Sequence, residues 1–578
     1  MFRLAKYLKQ FRKYVIIGPI FKLMEAIFEL IVPLVMAGII DVGIKNQDQG
    51  YILKLGGVMV LLGVLGLCFA LICQYSAARA SQGFGTVLRN EMFAHINSLS
   101  HAEIDKLGSN SMITRIINDV NQLQLAVAML IRLVIRAPFL VIGAAVMAMR
   151  LDLKLSVIFL IVAPLVAAVL YIIMSRSVPY YKVRQEKLDK VSLITRESLE
   201  GARVIRAFSR QEKEKERFME ASEDVTEAAM RVGKISAFLN PATFAILNLA
   251  IVAIVWFGGY RVDAGAMTQG EIIAFVNYMT QISLALVVVA NLVVIFTKAG
   301  ASAVRINEVL DTKPSIVEGK TGEQEKVPAS VPKVSFQNVS FAYPGTSKCS
   351  LEHVTVDIMR GETVGIIGGT GSGKSTFVNL MPRFYDVTEG SLLIDGIPVQ
   401  EYTFEGLRRQ FGIVPQRAAL FKGTILENMR WAKEDATMEE IEAAVRTAQA
   451  ADVVASKPDG YEEMILEGGK NFSGGQKQRL TIARALVGKP DILILDDSSS
   501  ALDYATDAKL RTAIREFSKD MTVFLVSQRA NSIKHADKII VLDDGEVAGI
   551  GTHDELYRNC EVYREICLSQ FSKEEVKG

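Results

Sequence analysis

Six apolar runs constrain this chain more than any other feature. Tyr14–Ile40, Leu53–Tyr75, Leu125–Met149, Leu155–Met174, Ala237–Phe257 and Ile272–Phe296 are each near or above the roughly 20 residues needed to cross a bilayer. In hydrocarbon, backbone groups must be satisfied within the segment or by a closed barrel, so runs of this length predict helices. Residues 1–310 are therefore read as an all-α membrane domain with six spans. Composition agrees. Half of the 578 residues are hydrophobic and the formal charge is only +2, too apolar for an ordinary soluble protein and without the basic surplus of a nucleic-acid partner. The opening "MFRLAKYLKQFRKY" is basic and amphipathic. The span behind it is too long for a signal peptide and no small-residue cleavage site stands out, so an interfacial helix leading into the first span is expected. Five scattered cysteines, Cys68, Cys73, Cys349, Cys560 and Cys567, lack metal-ligand spacing and read as reduced thiols.

The loops orient the spans. Ser76–Gln124 and Ser175–Ser236 are long, helically patterned and rich in Lys and Arg, whereas "DVGIKNQDQG", "RLDLK" and "GGYRVDAGAMTQGE" are short. Positive charge collects on one side, which places both long loops, both termini and everything after Phe296 in the cytoplasm. Lys22, Glu25 and Glu29 in the first span and Arg132 and Arg136 in the third fall largely along one helix face each. Ionisable groups at this depth either pair or line a polar path; matched opposite charges on two neighbouring spans favour Glu–Arg pairs. Asn240, Asn248, Asn277, Gln281 and Asn291 fit interhelical hydrogen bonds or the wall of a path. Residues 311–332, "DTKPSIVEGKTGEQEKVPASVP", are polar, hold Pro and Gly and show no periodic apolar face. They read as a linker.

From residue 333 to 578 the pattern changes to short β-rich runs alternating with helical stretches, which predicts an α/β domain. "GGTGSGKST", Gly368, Gly369, Thr370, Gly371, Ser372, Gly373, Lys374, Ser375 and Thr376, follows the apolar "TVGII" and precedes a helix-like run. Its glycines let backbone N–H groups close around phosphate oxygens, Lys374 reaches the terminal phosphates and Ser375 offers a hydroxyl to Mg2+. Nucleotide binding is the function class this motif indicates.

"FSGGQKQRLTIARAL", Phe472 to Leu486, stands just ahead of "DILILDD" and "SALD". With these residues the chain resembles the ATP-binding cassette family over essentially all of the stretch from Lys333 onward, and six spans with two long cytoplasmic loops resemble the exporter type. The resemblance implies that Tyr343 stacks on adenine, that Gln416 and Asp496 join Ser375 at Mg2+, and that Ser473, Gly474, Gly475 and Gln476 cap the γ-phosphate of ATP held by an opposite subunit. Asp503 falls in the loop after the magnesium-binding aspartate. It also implies that one cassette and six spans form half of a working assembly.

Two positions depart from the family pattern. Asp497 stands where active members carry a glutamate that polarises the attacking water, and an aspartate carboxylate sits about one methylene short; displacing a catalytic group by about 1 Å can cost roughly a hundredfold in rate. Gln528 stands at the place of the switch histidine, and glutamine is neutral and does not titrate. The expectation is a bacterial heterodimeric exporter in the cytoplasmic membrane. This chain holds a slow site, the partner supplies glutamate and histidine, and an amphipathic drug, lipid or peptide is the cargo. The alternatives are a self-sufficient homodimer with Asp497 as base, and a nucleotide-gated regulator or channel-like assembly.

Overall fold

The computed structural model describes residues 2–322, 327–498, 502–517 and 519–570; Ser500 and Ala501 of "SALD" lie outside them. The chain divides into two units. One comprises Met1–Asn97 and Gly108–Asp311, the other Ser98–Leu107 and Thr312–Gly578.

In the first unit, among the described residues, six helices are long and apolar enough to cross a membrane: Arg3–Ile44, Gln49–Ser98, Ser109–Leu151, Val157–Glu200, Gln211–Asp263 and Gln269–Asp311. They outrun the apolar runs of the sequence, so the long loops are mostly helix. Large side chains such as Leu53, Leu160, Leu249 and Trp256 face outward, while Ala80, Ala126, Ala144, Ala148, Ala274, Ala299 and Ala303 are buried. Lipid is as apolar as leucine, so helices gain by bringing small residues together and letting backbones approach. Polar ties fix the register. Asp119 accepts from Arg305 Nε at 2.8 Å and from Ser302 Oγ at 2.9 Å, Asp152 accepts from Arg261 Nε at 2.9 Å, and Tyr278 donates to the Leu30 carbonyl at 2.8 Å. Asp41 at the end of the first span accepts from Gly270 N at 2.8 Å at the start of the sixth. A Cβ on Gly270 would lie 2.5 Å from the Ala37 carbonyl oxygen, so only glycine allows that approach.

Among the described residues three π turns occur in these helices, Ile39–Ile44 at the end of the first and Arg115–Asp119 and Leu130–Val134 within the third. The opening segment packs on the bundle. Phe2–Phe11 winds as a 3₁₀ helix, and Leu4, Tyr7, Leu8 and Phe11 pack with Ala80, Phe84 and Leu88. A Cβ on Gly83 would lie 2.2 Å from Phe11 Cζ. Leu4 is buried there, while Tyr7, Leu8 and Phe11 are half-buried.

The second unit is an α/β fold. Strands β1 (Val334–Phe341), β2 (Leu351–Ile358), β4 (Glu389–Ile394) and β5 (Ile397–Pro398) make an antiparallel sheet in the order β2-β1-β4-β5. Strands β3 (Thr363–Gly368), β6 (Phe411–Val414), β9 (Ile492–Asp496), β10 (Thr522–Val526), β11 (Lys538–Asp543) and β12 (Glu546–Gly551) make the larger sheet, ordered β12-β11-β3-β10-β9-β6. All its pairings are parallel except β11 with β12. A parallel sheet is buried on both faces, which is why "ILIL" of β9 is apolar without alternation. Strands β7 (Gly423–Thr424) and β8 (Met464–Ile465) make a separate two-stranded antiparallel sheet. Lys333 joins the two larger sheets. It is fully buried, and its Nζ donates to Asp395 at 2.7 Å, Gln410 at 2.9 Å and Asp491 at 2.7 Å.

Two segments read as connections are docked in this unit. Gly319, Lys320 and Thr321 run along Glu401–Thr403 with backbone bonds of 2.8–3.0 Å; a slack linker would leave those donors to water. The helix His101–Leu107 sets His101 against Phe384, ring centroids 4.6 Å apart, and Tyr385 donates to Asp105 at 2.7 Å. Burial and the Asp105 charge both push the Tyr385 hydroxyl well above the usual phenol range.

Candidate functional site

Parallel strands deliver chemistry at their carboxyl ends, and here three adjacent ends supply the site. β3 runs into the phosphate loop, β9 ends on Asp496, and β10 between them leads to Gln528; Val526 is level with both Asp496 and Ile366. The loop turns through left-handed Gly371 and Gly373, φ +86° and +94°, before helix Lys374–Leu380. A Cβ on Gly373 would lie 2.4 Å from the Ser350 carbonyl oxygen, whereas Gly369 and Gly371 face open space. Gly369, Thr370 and Gly371 are exposed at the mouth, with Ser372 and Thr376 buried behind it. Lys374 is buried and donates to the carbonyls of Gly368 at 3.0 Å and Gly369 at 2.6 Å. Burial lowers its pKa, while Asp496 and Asp497 act the other way. Tyr343 packs edge-on to Phe341 and Tyr385 and shares a hydrogen bond of 3.1 Å with Thr376 Oγ1, which sets its ring beside the loop helix.

Ser375 Oγ donates to Asp496 Oδ1 at 3.3 Å. This pair of oxygens fits a magnesium ion, a hard cation that takes few protein ligands and keeps waters. Burial raises the pKa of Asp496, the neighbouring Asp497 adds to that, and Ser375 and Lys374 oppose it. Asp497 is likewise raised by burial, opposed by Arg529, Lys374 and a hydrogen bond from Gln416. Its backbone is left-handed, φ +45°, with its N–H bonded to the Val526 carbonyl at 3.0 Å. Aspartate enters this region more readily than most residues. The structure thus brings Ser375, Asp496, Asp497 and Gln416 together, with Gln416 reaching Asp497.

Gln528 itself is exposed, and its backbone is held by a residue that sequence reading missed. Gln570 Nε2 donates to the Gln528 carbonyl at 2.7 Å, and Gln570 Oε1 accepts from Ala530 N at 2.9 Å. No motif flags Gln570; its only signal is a helix, Glu561–Gln570, that brings an amide side chain alongside. Replacing Gln570 by alanine is expected to speed amide exchange several-fold at Ala530 and leave helix Lys374–Leu380 unchanged. Hydrogen-exchange mass spectrometry reads both, and equal protection at Ala530 would remove Gln570 from this role.

The signature segment belongs to a different hydrophobic core, with Phe472 among the helices, whereas Phe377 of the loop helix packs in the core of the sheets. Ser473 caps the helix Gly474–Val487 in a reciprocal box with Gln476: Gln476 N donates to Ser473 Oγ at 3.3 Å and Ser473 N to Gln476 Oε1 at 3.0 Å. Ser473 and Gly474 are exposed, leaving the first turn open to an anion. Asp503 accepts from Thr506 N and Oγ1, both at 2.9 Å, capping the helix Tyr504–Phe517. Among the described residues no hydrogen bond or ion pair joins Ser473–Gln476 to the phosphate loop.

Residues 15–286 match the ABC transporter transmembrane region and residues 351–500 the ABC transporter domain. An uncharacterized ABC transporter ATP-binding protein, YfiB, of Bacillus subtilis is 38% identical over 99% of both chains. The chain belongs to the ABC transporter family. As an ABC transporter it is a multi-pass membrane protein with a transport ATPase domain. It is 30% identical to an ATP-dependent lipid A-core flippase of Chromobacterium violaceum, over 99% of this chain and 97% of that one. Its fold matches a bacterial Atm1-family ABC exporter solved with ATP bound, TM-score 0.82 and 25% identity over 97% of this chain and 100% of that one.

Proposed function

We propose that this ABC transporter is one half of a heterodimeric exporter in a bacterial cytoplasmic membrane, and that its own nucleotide site binds ATP but turns it over slowly. Both termini and the ATPase domain face the cytoplasm, as the basic loops imply. The observation that carries the reading is the pairing of Asp497 and Gln528 with an intact phosphate loop and an intact signature turn. Phosphate oxygens entering at Gly369–Gly371 meet backbone N–H groups, and Lys374 exchanges the Gly368 and Gly369 carbonyls for the terminal phosphates. Tyr343 offers its ring to adenine. Bound at Ser375, Asp496 and Gln416, Mg2+ would neutralise charge on the β- and γ-phosphates.

Asp497 is the residue that fails to complete the reaction. Its carboxylate is short by about one methylene against the glutamate pattern, its backbone is turned left-handed and Gln416 holds its side chain. Ser473–Gly475, capped by Gln476, supports an intact role in trans: completing the partner's competent site. The cargo is an amphipathic drug, lipid or peptide, and likeness to a lipid A-core flippase supports the lipid among them. A homodimer using Asp497 as base is the alternative.

The magnesium-dependent ATPase rate of the chain purified alone in lipid, beside Asp497→Asn, tests this. Negligible turnover in a folded, ATP-binding preparation is expected. Substantial turnover abolished by Asp497→Asn would make Asp497 a working base and the homodimer the correct reading.

A further inference from the structure

The membrane bundle holds one more cation than its local carboxylates account for. Lys22 and Glu25 of the first span and Arg132 and Arg136 of the third all lie within electrostatic reach of Cys73 on the second. Lys22 is taken by Glu25 on its own helix, at 2.7 Å. Arg136 is taken by Glu29 across the bundle, also at 2.7 Å. The expected pairing of Glu and Arg is therefore half realised, because Glu25 finds a cation one turn away before it can serve Arg132. Among the described residues Arg132 has no hydrogen-bond or ion-pair partner, and its Nε is buried and unmet. Arg136 Nε and Gln281 Oε1 are unmet as well, although Gln281 Nε2 donates to the Glu29 carbonyl at 3.2 Å. Three basic groups face two acidic ones.

Arg132 also lies at the centre of the π turn Leu130–Val134. Such turns are rare and recur at functional sites, because the widened backbone re-aims one side chain. An unpaired guanidinium at membrane depth is costly and is retained where something anionic or polar meets it. Its planar fork suits a two-oxygen anion better than a single point charge.

Resting on the exporter reading above, we propose that Arg132 is the headgroup contact for cargo, taking a phosphate or carboxylate from an oxyanion that carries an apolar tail. Arg136 and Lys22 raise the local potential without competing for the same oxygens, since each is already engaged. The apolar walls of the spans take the tail.

The test is binding, which needs neither ATP nor transport. The full chain in zwitterionic nanodiscs is titrated by calorimetry with dodecyl phosphate, dodecyl maltoside and inorganic phosphate. Dodecyl phosphate is expected to bind at least about tenfold tighter than dodecyl maltoside, as one charge-assisted hydrogen-bonded contact supplies. Arg132→Gln removes that preference, Arg132→Lys keeps only the smaller part of it, and Lys154→Gln, an exposed control, leaves it intact. Weak binding of inorganic phosphate identifies a tailed anion; binding as tight as dodecyl phosphate supports the oxyanion site and moves the source to a free anion. Equal affinity of the wild-type chain for the charged and neutral amphiphiles overturns the proposal, whether or not Arg132→Gln folds. So does a folded Arg132→Gln that keeps the preference. Intact binding without ATP-driven uptake in inverted vesicles would refute the exporter reading and leave the site standing.

Discussion

Replacing Asp497 with glutamate is expected to raise ATP turnover at this chain's own phosphate loop by about a hundredfold, the scale set by moving a catalytic carboxylate about 1 Å. The surrounding groups are already placed for it. Ser375 meets Asp496, Lys374 is buried beside both carboxylates, and the backbone of residue 497 is anchored to Val526. A longer side chain would free the carboxylate from Gln416 and carry it toward the γ-phosphate. Steady-state hydrolysis at saturating Mg-ATP, compared for wild type, Asp497→Glu and Asp497→Glu/Gln528→His, apportions the deficit. A rise only in the double variant would make Gln528 the limiting residue. No rise in either would refute the view that these two positions cause slow turnover.

The largest stability effect is expected at Lys333. Replacing it by methionine removes the cation from a fully buried position and leaves Asp395, also buried, with Arg360 at 2.7 Å as its remaining ion-pair partner. Breaking a buried pair from one side costs about 3–5 kcal/mol, a large share of the roughly 5–15 kcal/mol that holds a domain folded. For a unit of this size that is a fall in melting temperature of about 10 °C. Thermal unfolding followed through the α/β unit reads it. Lys333→Met with Asp395→Leu should recover part of the loss, because an apolar pair does not strand a charge; no loss in the single variant would remove the three-way tie as a structural element.

What the sequence revealed and what it hid divide by distance along the chain. The spans, the phosphate loop and the signature turn were legible because each is local. A bilayer-length apolar run dictates helix, and left-handed Gly371 and Gly373 leave few alternatives to a phosphate turn. Lys333 read as the first residue of a domain, since its partners Asp395 and Asp491 lie 62 and 158 residues away. Gln570 carried no signal because what it grips is backbone, at Gln528 and Ala530. The segment Gly319–Thr321 was polar enough to pass for slack chain, and only its register against Glu401–Thr403 shows otherwise. The intramembrane charges were found correctly and paired only in part: spacing alone does not decide whether Glu25 turns to Lys22 on its own helix or to Arg132 on another.

The π turns of the third span bear on how its gene tolerates change. Each accommodates one residue more than an α turn would. Deleting a single codon within Leu130–Val134 would let the turn close to regular α geometry while the helix on either side keeps its facing, because the residue lost is the one the wider turn absorbs. Asp119 and Arg132 each sit in such a turn, so the deletion would re-aim Arg132 against the other charges and leave the rest of the span in register. For this helix, one extra residue sets the aim of a single side chain, and its loss is a lesion to the charge cluster more than to the fold.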